Sequence, residues 1–437
     1  MLIASPERLR TDDPELLIEE ARRHRRRRRL RLAAVLAAAL GVGAGLWALL
    51  GQNAAATGVS GGAGGAAVGT RCPGTDLGVL AFVRDGALSV VDFERCSPTT
   101  LVREGATGTP AFSHDGTYVA FGRGWVATAG GEVHRLPSPA VWSPRANVLA
   151  FATAGGGLEL IAPGSFARML VPNGNGASAP VFAPDGKSIA FVRGTAIWSV
   201  ELASGALHKL ADARAGRPQP VGFSPNGAWL VYRAFPGSAS LAADGTALVA
   251  ANVRTGRTVA IAATLARSDF VTWCGTTLAY VTGNAGRSVT AGDGIAIASP
   301  PAWTPRTVLA PGGATSWNAV ACSHGTLVVS AGPSSQDSPF GQEHRSLWTV
   351  AAKPHATPHR LAGATPPGRQ TDELPLWSSD GRYVVFVRTT PSGIEGTGSV
   401  YAYDRANRKL FGPVARVGST GNYYGSYGWA GQIALSR

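Results

Sequence analysis

The sequence predicts an all-β protein of repeated four-stranded units, carried behind one apolar span near the N-terminus. Three observations predict it. Of 437 residues, 57 are Gly and 29 are Pro while only 15% are charged; this excludes coiled coils and long helical arrays and suits many short strands joined by turns. A pattern of a small residue or Pro, an aromatic, a tight turn and a β-run recurs eight times across residues 76–437. A 19-residue uncharged run, Leu32 to Leu50, follows a dense block of Arg.

Residues 1–31 read as a basic cytoplasmic tail. They hold ten Arg and six acids, with Arg at 22, 23, 25–29 and 31. Asp13-Pro14-Glu15 has the form of a helix start, with Asp as cap and Pro in the first turn. The Arg block abuts the apolar run of residues 32–50, so it reads as a membrane flank and not as a nucleic-acid contact. As a helix that run reaches about 28 Å, close to the hydrocarbon thickness of a bilayer. Arg on one side and Trp47 near the other end predict a single-pass anchor with the N-terminus inside. A leader cleaved after Ala54-Ala55-Ala56 is the competing reading, opposed by the long segment before the apolar run. Residues 51–70, uncharged and rich in Gly and Ala, read as a flexible linker. The rest of the chain, residues 71–437, is then an extracytoplasmic domain.

That domain holds the repeat. Strong copies cover residues 109–124, 179–194, 219–234 and 373–389; others cover 138–154, 268–283, 317–332 and 424–437. Aligned on one key position they fall at Phe112, Trp142, Phe182, Phe223, Trp273, Ala321, Trp377 and Trp429, with spacings of 30, 40, 41, 50, 48, 56 and 52. Such periods fit four strands per unit and a β-propeller, in which each blade buries its faces against its neighbours. Asp-Gly or Asn-Gly at 115–116, 185–186, 226–227 and 380–381 predicts tight hairpin turns that supply positive φ.

Pro180-Val181-Phe182-Ala183-Pro184-Asp185-Gly186, continued by Ile189-Ala190-Phe191, closely resembles the WD40-like or PD40 repeat of TolB-type β-propellers. The likeness covers nearly all of residues 76–437, although Trp142 lacks the Asp-Gly and the copies at 273, 321 and 429 are degenerate. It implies a ring of sheets that binds proteins or ligands. Residues 76–92 begin mid-motif and the C-terminal residues offer the missing segment, so the ring is expected to close through a composite blade. Eight blades follow, or seven, because both ends carry an Ala-Phe type strand.

Cys274 and Cys322 each follow the key position of consecutive units, which predicts a bridge between neighbouring blades. Cys72 and Cys96 are expected to fasten the incoming chain to its first strands. Free buried thiols are the alternative to both pairs.

Chemical motifs are sparse. Gly58-Val59-Ser60-Gly61-Gly62 fits a nucleophile-elbow string but lies in the linker, and Pro354 and Pro358 keep His355 and His359 off one helical face. No catalytic residue, metal site or cofactor is therefore expected. Ser113-His114-Asp115 and Ser378-Ser379-Asp380 read as turn caps. Arg84, Arg123, Arg193, Arg233 and Arg388 recur at the end of one strand and are candidates for an anionic ligand or for salt bridges between blades. Residues 331–346 and 418–428 exceed what a blade needs, and Tyr423, Tyr424 and Tyr427 offer rigid contact area there. The expected function is a membrane-anchored scaffold that binds an envelope protein or cell-wall ligand. An exported propeller hydrolase or lyase is the alternative.

Overall fold

Each repeat becomes one antiparallel sheet in the computed structural model, which describes residues 72–74, 77–213, 216–235, 245–282, 292–334, 344–361, 363–392, 395–423, 426–427 and 432–436. The expected tail, apolar span and linker lie outside these residues. Among the described residues no helix is long and apolar enough to cross a membrane; their one helical element is a short turn, Ser268–Phe270.

Eight sheets form among the described residues. Blade 4 shows the plan: Ala177–Phe182 innermost, then Ser188–Arg193, Ala196–Glu201 and Leu207–Asp212. Blades 2 and 3 occupy residues 111–135 and 140–171, and blade 5 runs from Arg217–Phe223 to Thr258–Thr264. Blade 6 comprises Val271–Cys274, Thr277–Thr282, Gly294–Ala298 and Arg306–Leu309; blade 7 comprises Thr315–Ser323, Thr326–Pro333, Ser346–Ala351 and His359–Arg360. Blade 8 is the longest: Thr371–Trp377, Tyr383–Ser392, Glu395–Asp404 and Lys409–Tyr423, with a fifth strand at Ser426–Tyr427.

Blade 1 is composite and settles the count at eight. Its three outer strands are Val79–Arg84, Ala87–Asp92 and Thr99–Val102, and its innermost is Ile433–Leu435 from the other end of the chain. Leu80 pairs with Leu435 and Phe82 with Ile433. In blade 4 the corresponding pair is Ile189 with Phe182, so Leu435, not Trp429, holds the key position. The repeat alignment slipped by six residues there because Ile433-Ala434-Leu435 also reads as the strand after the turn. Trp429 itself lies outside the described residues.

Closure is visible in the core. Eight apolar clusters each join two successive blades, from Ala81, Val83 and Val119 between blades 1 and 2 round to Leu80, Val385 and Phe411 between blades 8 and 1. Each gap thus hides apolar side chains that one blade alone would leave in water. Phe112, Phe182, Phe223, Trp273 and Trp377 each lie in the cluster shared with the preceding blade.

The turns follow the motif, with one adjustment. Gly116, Gly186, Gly227 and Gly381 take φ of 75°, 71°, 71° and 68°, whereas the Asp or Asn before each is not left-handed. The acid or amide instead accepts hydrogen bonds: Ser113 Oγ donates to Asp115 at 2.9 Å, Ser224 Oγ to Asn226 at 2.7 Å and Ser378 Oγ to Asp380 at 2.6 Å. Hydrogen bonds from Thr117 above all, then Asn147 and Ser113, hold Asp115 well below the ordinary carboxylate range.

Both cysteine pairs are disulfides, with Cα separations of 5.6 Å for Cys72–Cys96 and 5.3 Å for Cys274–Cys322. The reason for the second differs from the expected one. Trp273 pairs with Leu278 and Cys322 with Leu327 across equivalent two-residue turns, so Cys322 and not Ala321 matches the key aromatic. Strand side chains alternate faces. Cys274 therefore faces blade 7 and Cys322 faces blade 6, whereas truly equivalent residues would point the same way. Exchanging Cys322 for Ser should cost ~4 kcal/mol on the chain-entropy account of a loop this long. Denaturant midpoints under oxidising conditions would measure it.

A buried charged arc on the loop side

Every blade starts its inner strand on one side of the ring, turns on the other, and returns for the connection between its second and third strands. The first side, here the loop side, is uneven. Key-position spacings of 30, 40 and 41 precede blade 5, and 48 or more follow it; the excess residues lie in loop-side connections of blades 5 to 8. Blade 8 also extends there, where Ser392 pairs with Glu395 and Asn422 with Tyr427, beyond the start of its inner strand at Thr371.

Buried charge follows the same division with one exception, Asp404, which is 2% exposed at the turn-side end of a blade 8 strand and is bound by Arg382 through both oxygens. Arg233, Asp269, Asp293, Arg345, Asp372, Glu373 and Arg388 are all at most 8% exposed, and all sit at the loop-side ends of strands in blades 5 to 8. Blades 1 to 4 contribute no buried charge among the described residues. A buried charge needs a partner or must neutralise. The arc uses both solutions.

Two acids are paired. Arg388 binds both oxygens of Asp372 at 2.7 and 2.9 Å, and donates to Ala364 O at 2.6 Å. Burial nevertheless raises Asp372 to about 6. Arg267 binds Asp269 through two bonds of 2.9 and 2.6 Å, and Arg233 donates to Arg267 O at 2.6 Å.

Asp293 and Glu373 are not paired in this way. Burial pushes each to about 8, against the opposing pull of Arg345 on Asp293 and of Arg267 and Arg345 on Glu373. Neither oxygen of Asp293 has a hydrogen-bond partner, nor does Glu373 Oε1. Between them Arg345 is wholly buried: it donates to Ser316 O at 2.9 Å, Ser330 O at 3.0 Å and Ser330 Oγ at 3.3 Å, while its Nη1 has no partner. Burial lowers it to about 10, so it stays charged.

The backbone fixes this placement. Asp293 O accepts from Trp317 N at 2.9 Å and Arg345 O from Asp372 N at 3.0 Å, so each loop residue is tied to the inner strand of the next blade. Gly332 has to be Gly, because a Cβ there would lie 2.7 Å from Arg345 Cγ.

The recurring Arg residues meet different fates. Arg84 is half exposed and bonds Asp85 at 3.3 Å, Arg123 is exposed in a turn, and Arg193 lies over the Trp198 ring. Only Arg233 and Arg388 enter the arc. Tyr423 and Tyr427 belong to the strands that extend blade 8, while Tyr424 lies outside the described residues. Sequence reasoning missed Arg267, Asp269, Asp293, Asp372 and Glu373 because isolated charges carry no motif. The lengthening of blades 5 to 8 was the available signal, and Arg345 lies inside the insertion flagged at 331–346.

Two grooves lie away from the arc. One of about 470 Å³ lies on the turn side between blades 4 and 5, but it holds no buried charge and three of its polar side chains are engaged: Arg145 bonds Pro184 O, Asp185 bonds Lys187 N and Asn226 bonds Ser224. The other, about 370 Å³ beside Val83, Asp85 and Ser419, contains no buried charge.

The topology defines the class: an eight-bladed β-propeller closed by both ends of the described domain. Among solved structures, the dihydro-heme d1 dehydrogenase NirN in complex with DHE is similar at 18% identity and TM-score 0.51, over 79% of this chain and 74% of that one. Dipeptidyl peptidase 4 of Porphyromonas gingivalis is similar at 11% and 0.50, over 79% and 60%. TolB of Acinetobacter baumannii aligns at 13% and 0.35, over 77% and 63%, which carries no argument alone. No protein-family profile matches the chain, and no curated protein matches it in sequence. These likenesses establish fold, and the fold is the one the PD40-like repeat implied. The neighbours include a dehydrogenase and a peptidase, so the fold leaves activity open.

Proposed function

We propose that this chain is a single-pass envelope protein, N-terminus inside, whose extracytoplasmic propeller binds an envelope protein or cell-wall ligand on the loop side of blades 5 to 8. One observation carries the reading: seven of the eight buried charged residues among the described residues lie in the arc where the connections are longest, Asp404 on the turn side being the exception. Rigid scaffolds place recognition on such added segments, and buried polar groups without partners mark a surface shaped for something beyond folding. The Arg-flanked apolar run supports the anchor, and two disulfides support an oxidising compartment.

The full chain in detergent should capture its ligand from envelope fractions. Arg345→Ala with Glu373→Ala should reduce capture at least about tenfold, a loss expected of a central charged contact; Arg145→Ala with Arg254→Ala, on the turn side, should leave it intact. Equal capture by both pairs would sink the reading. A second reading, an exported hydrolase or lyase, is favoured by the two carboxyls near 8 beside Arg345, since a protonated acid at neutral pH suits general acid catalysis. Turnover of a small substrate without capture would select it.

A further inference from the structure

We propose that the arc is a binding site for a small oxyanion, a carboxylate or a phosphate, received by the partnerless guanidinium edge of Arg345 and the neighbouring Arg233 and Arg267. The inference deepens the binding reading above and rests on it. Four guanidinium groups, Arg233, Arg267, Arg345 and Arg388, and four carboxyl groups, Asp269, Asp293, Asp372 and Glu373, lie along the arc. Arg267 and Arg388 each hold one carboxylate in a two-bond clasp. Arg233 and Arg345 have no such clasp, and Arg233 Nε and Arg345 Nη1 each lack any hydrogen-bond partner.

The unclasped acids decide the sign of the ligand. Asp293 faces Arg345; Glu373 faces Arg267, Arg345, Asp269 and Thr389. At neutral pH both are predominantly protonated, so four positive groups stand against two negative ones. A cation would add to that excess, and an anion would cancel it. The protonated carboxyls would also turn from acceptors into donors, as an oxyanion needs. A planar guanidinium presents paired N–H groups matched to carboxylate or phosphate oxygens. Arg267, whose side chain is 19% exposed, is the solvent-facing end of the network.

Protons and anion are therefore linked. Raising the pH ionises Asp293 and Glu373, which then supply the negative charge the ligand would bring and compete with it. Calorimetric titration of the full chain in detergent with acetate, citrate and inorganic phosphate, each at constant ionic strength, tests this. Saturable binding at pH 6 that weakens about tenfold or more by pH 9 is expected; citrate and acetate against phosphate separate the two sources of the oxyanion. Asp293→Asn with Glu373→Gln keeps size but cannot ionise, so its acetate affinity should change much less between pH 6 and pH 9 than the parent's. Gly332→Ala, which crowds Arg345 without altering any charge, should weaken binding at every pH. The proposal falls if no probe binds saturably at pH 6, or if the Asn and Gln variant keeps the parent's pH profile. Envelope capture that persists without oxyanion binding would overturn this inference alone and leave the binding reading standing.

Discussion

Deleting Ile433–Leu435 is expected to be the most damaging small change to this domain. The three residues form the inner strand of blade 1, where Ile433 is 4% exposed and packs with Phe82, Val385 and Phe411. Their loss strips an apolar side chain of roughly 2 kcal/mol and the backbone pairing to Leu80, Ala81 and Phe82. It also leaves Val79–Arg84 as an open sheet edge beside an uncovered blade 8. A combined loss of about 5 kcal/mol or more is expected, seen as a melting temperature lower by roughly 10 °C. Exposed-edge aggregation should accompany it in light scattering. A truncated chain that melts with the parent would show that the ring does not depend on its composite blade.

Asp293→Asn should act in the opposite direction, increasingly as pH rises above about 4. The native carboxyl titrates near 8 because burial penalises its charge, against an ordinary value of 3.8. The folded state therefore holds a proton that the unfolded state releases. Its stabilising contribution is complete below the unfolded value and is lost as pH rises through the folded one. Each unit between the two is worth ~1.4 kcal/mol, so the parent should lose on the order of several kcal/mol between pH 4 and pH 8 at this residue alone. Asn keeps the shape and carries no such proton. The variant should match the parent at pH 4 and melt about 5 °C higher, or more, at pH 9; Glu373→Gln should behave alike. A parent melting temperature that stays level from pH 5 to pH 9 would show both acids to be ionised at neutrality.

Much of the architecture was legible because it repeats. A turn that needs a left-handed residue selects Gly at 116, 186, 227 and 381, and a gap between sheets selects aromatics at Phe182, Phe223 and Trp377. Eight copies of the same constraint are readable even when several are degenerate. Register was less legible. A short strand reads equally well before or after a turn, hence the slip to Trp429 and the one-residue error at Ala321. The arc was least legible: Asp293, Arg345 and Glu373 come from three different blades, and only folding shows that Arg345 is coupled to both acids. Arg233 and Arg388 were picked for their recurrence and do enter the arc, while Arg84, Arg123 and Arg193 share that recurrence without the burial.

The disulfide between blades 6 and 7 has a further consequence. Cys322 stands where Phe112, Trp142, Phe182, Phe223, Trp273 and Trp377 stand in other blades, and Cys274 stands where Ser113, Ser143, Ser224 and Ser378 cap their turns. Two sulfurs thus do by covalency at one joint what ring bulk does at the others. A reductant would leave that joint both unlinked and underfilled, since no thiol replaces an indole in volume. Thiol chemistry would then act as a wedge at a single place on the circle, on the side away from the charged arc, and the ring would begin to splay there.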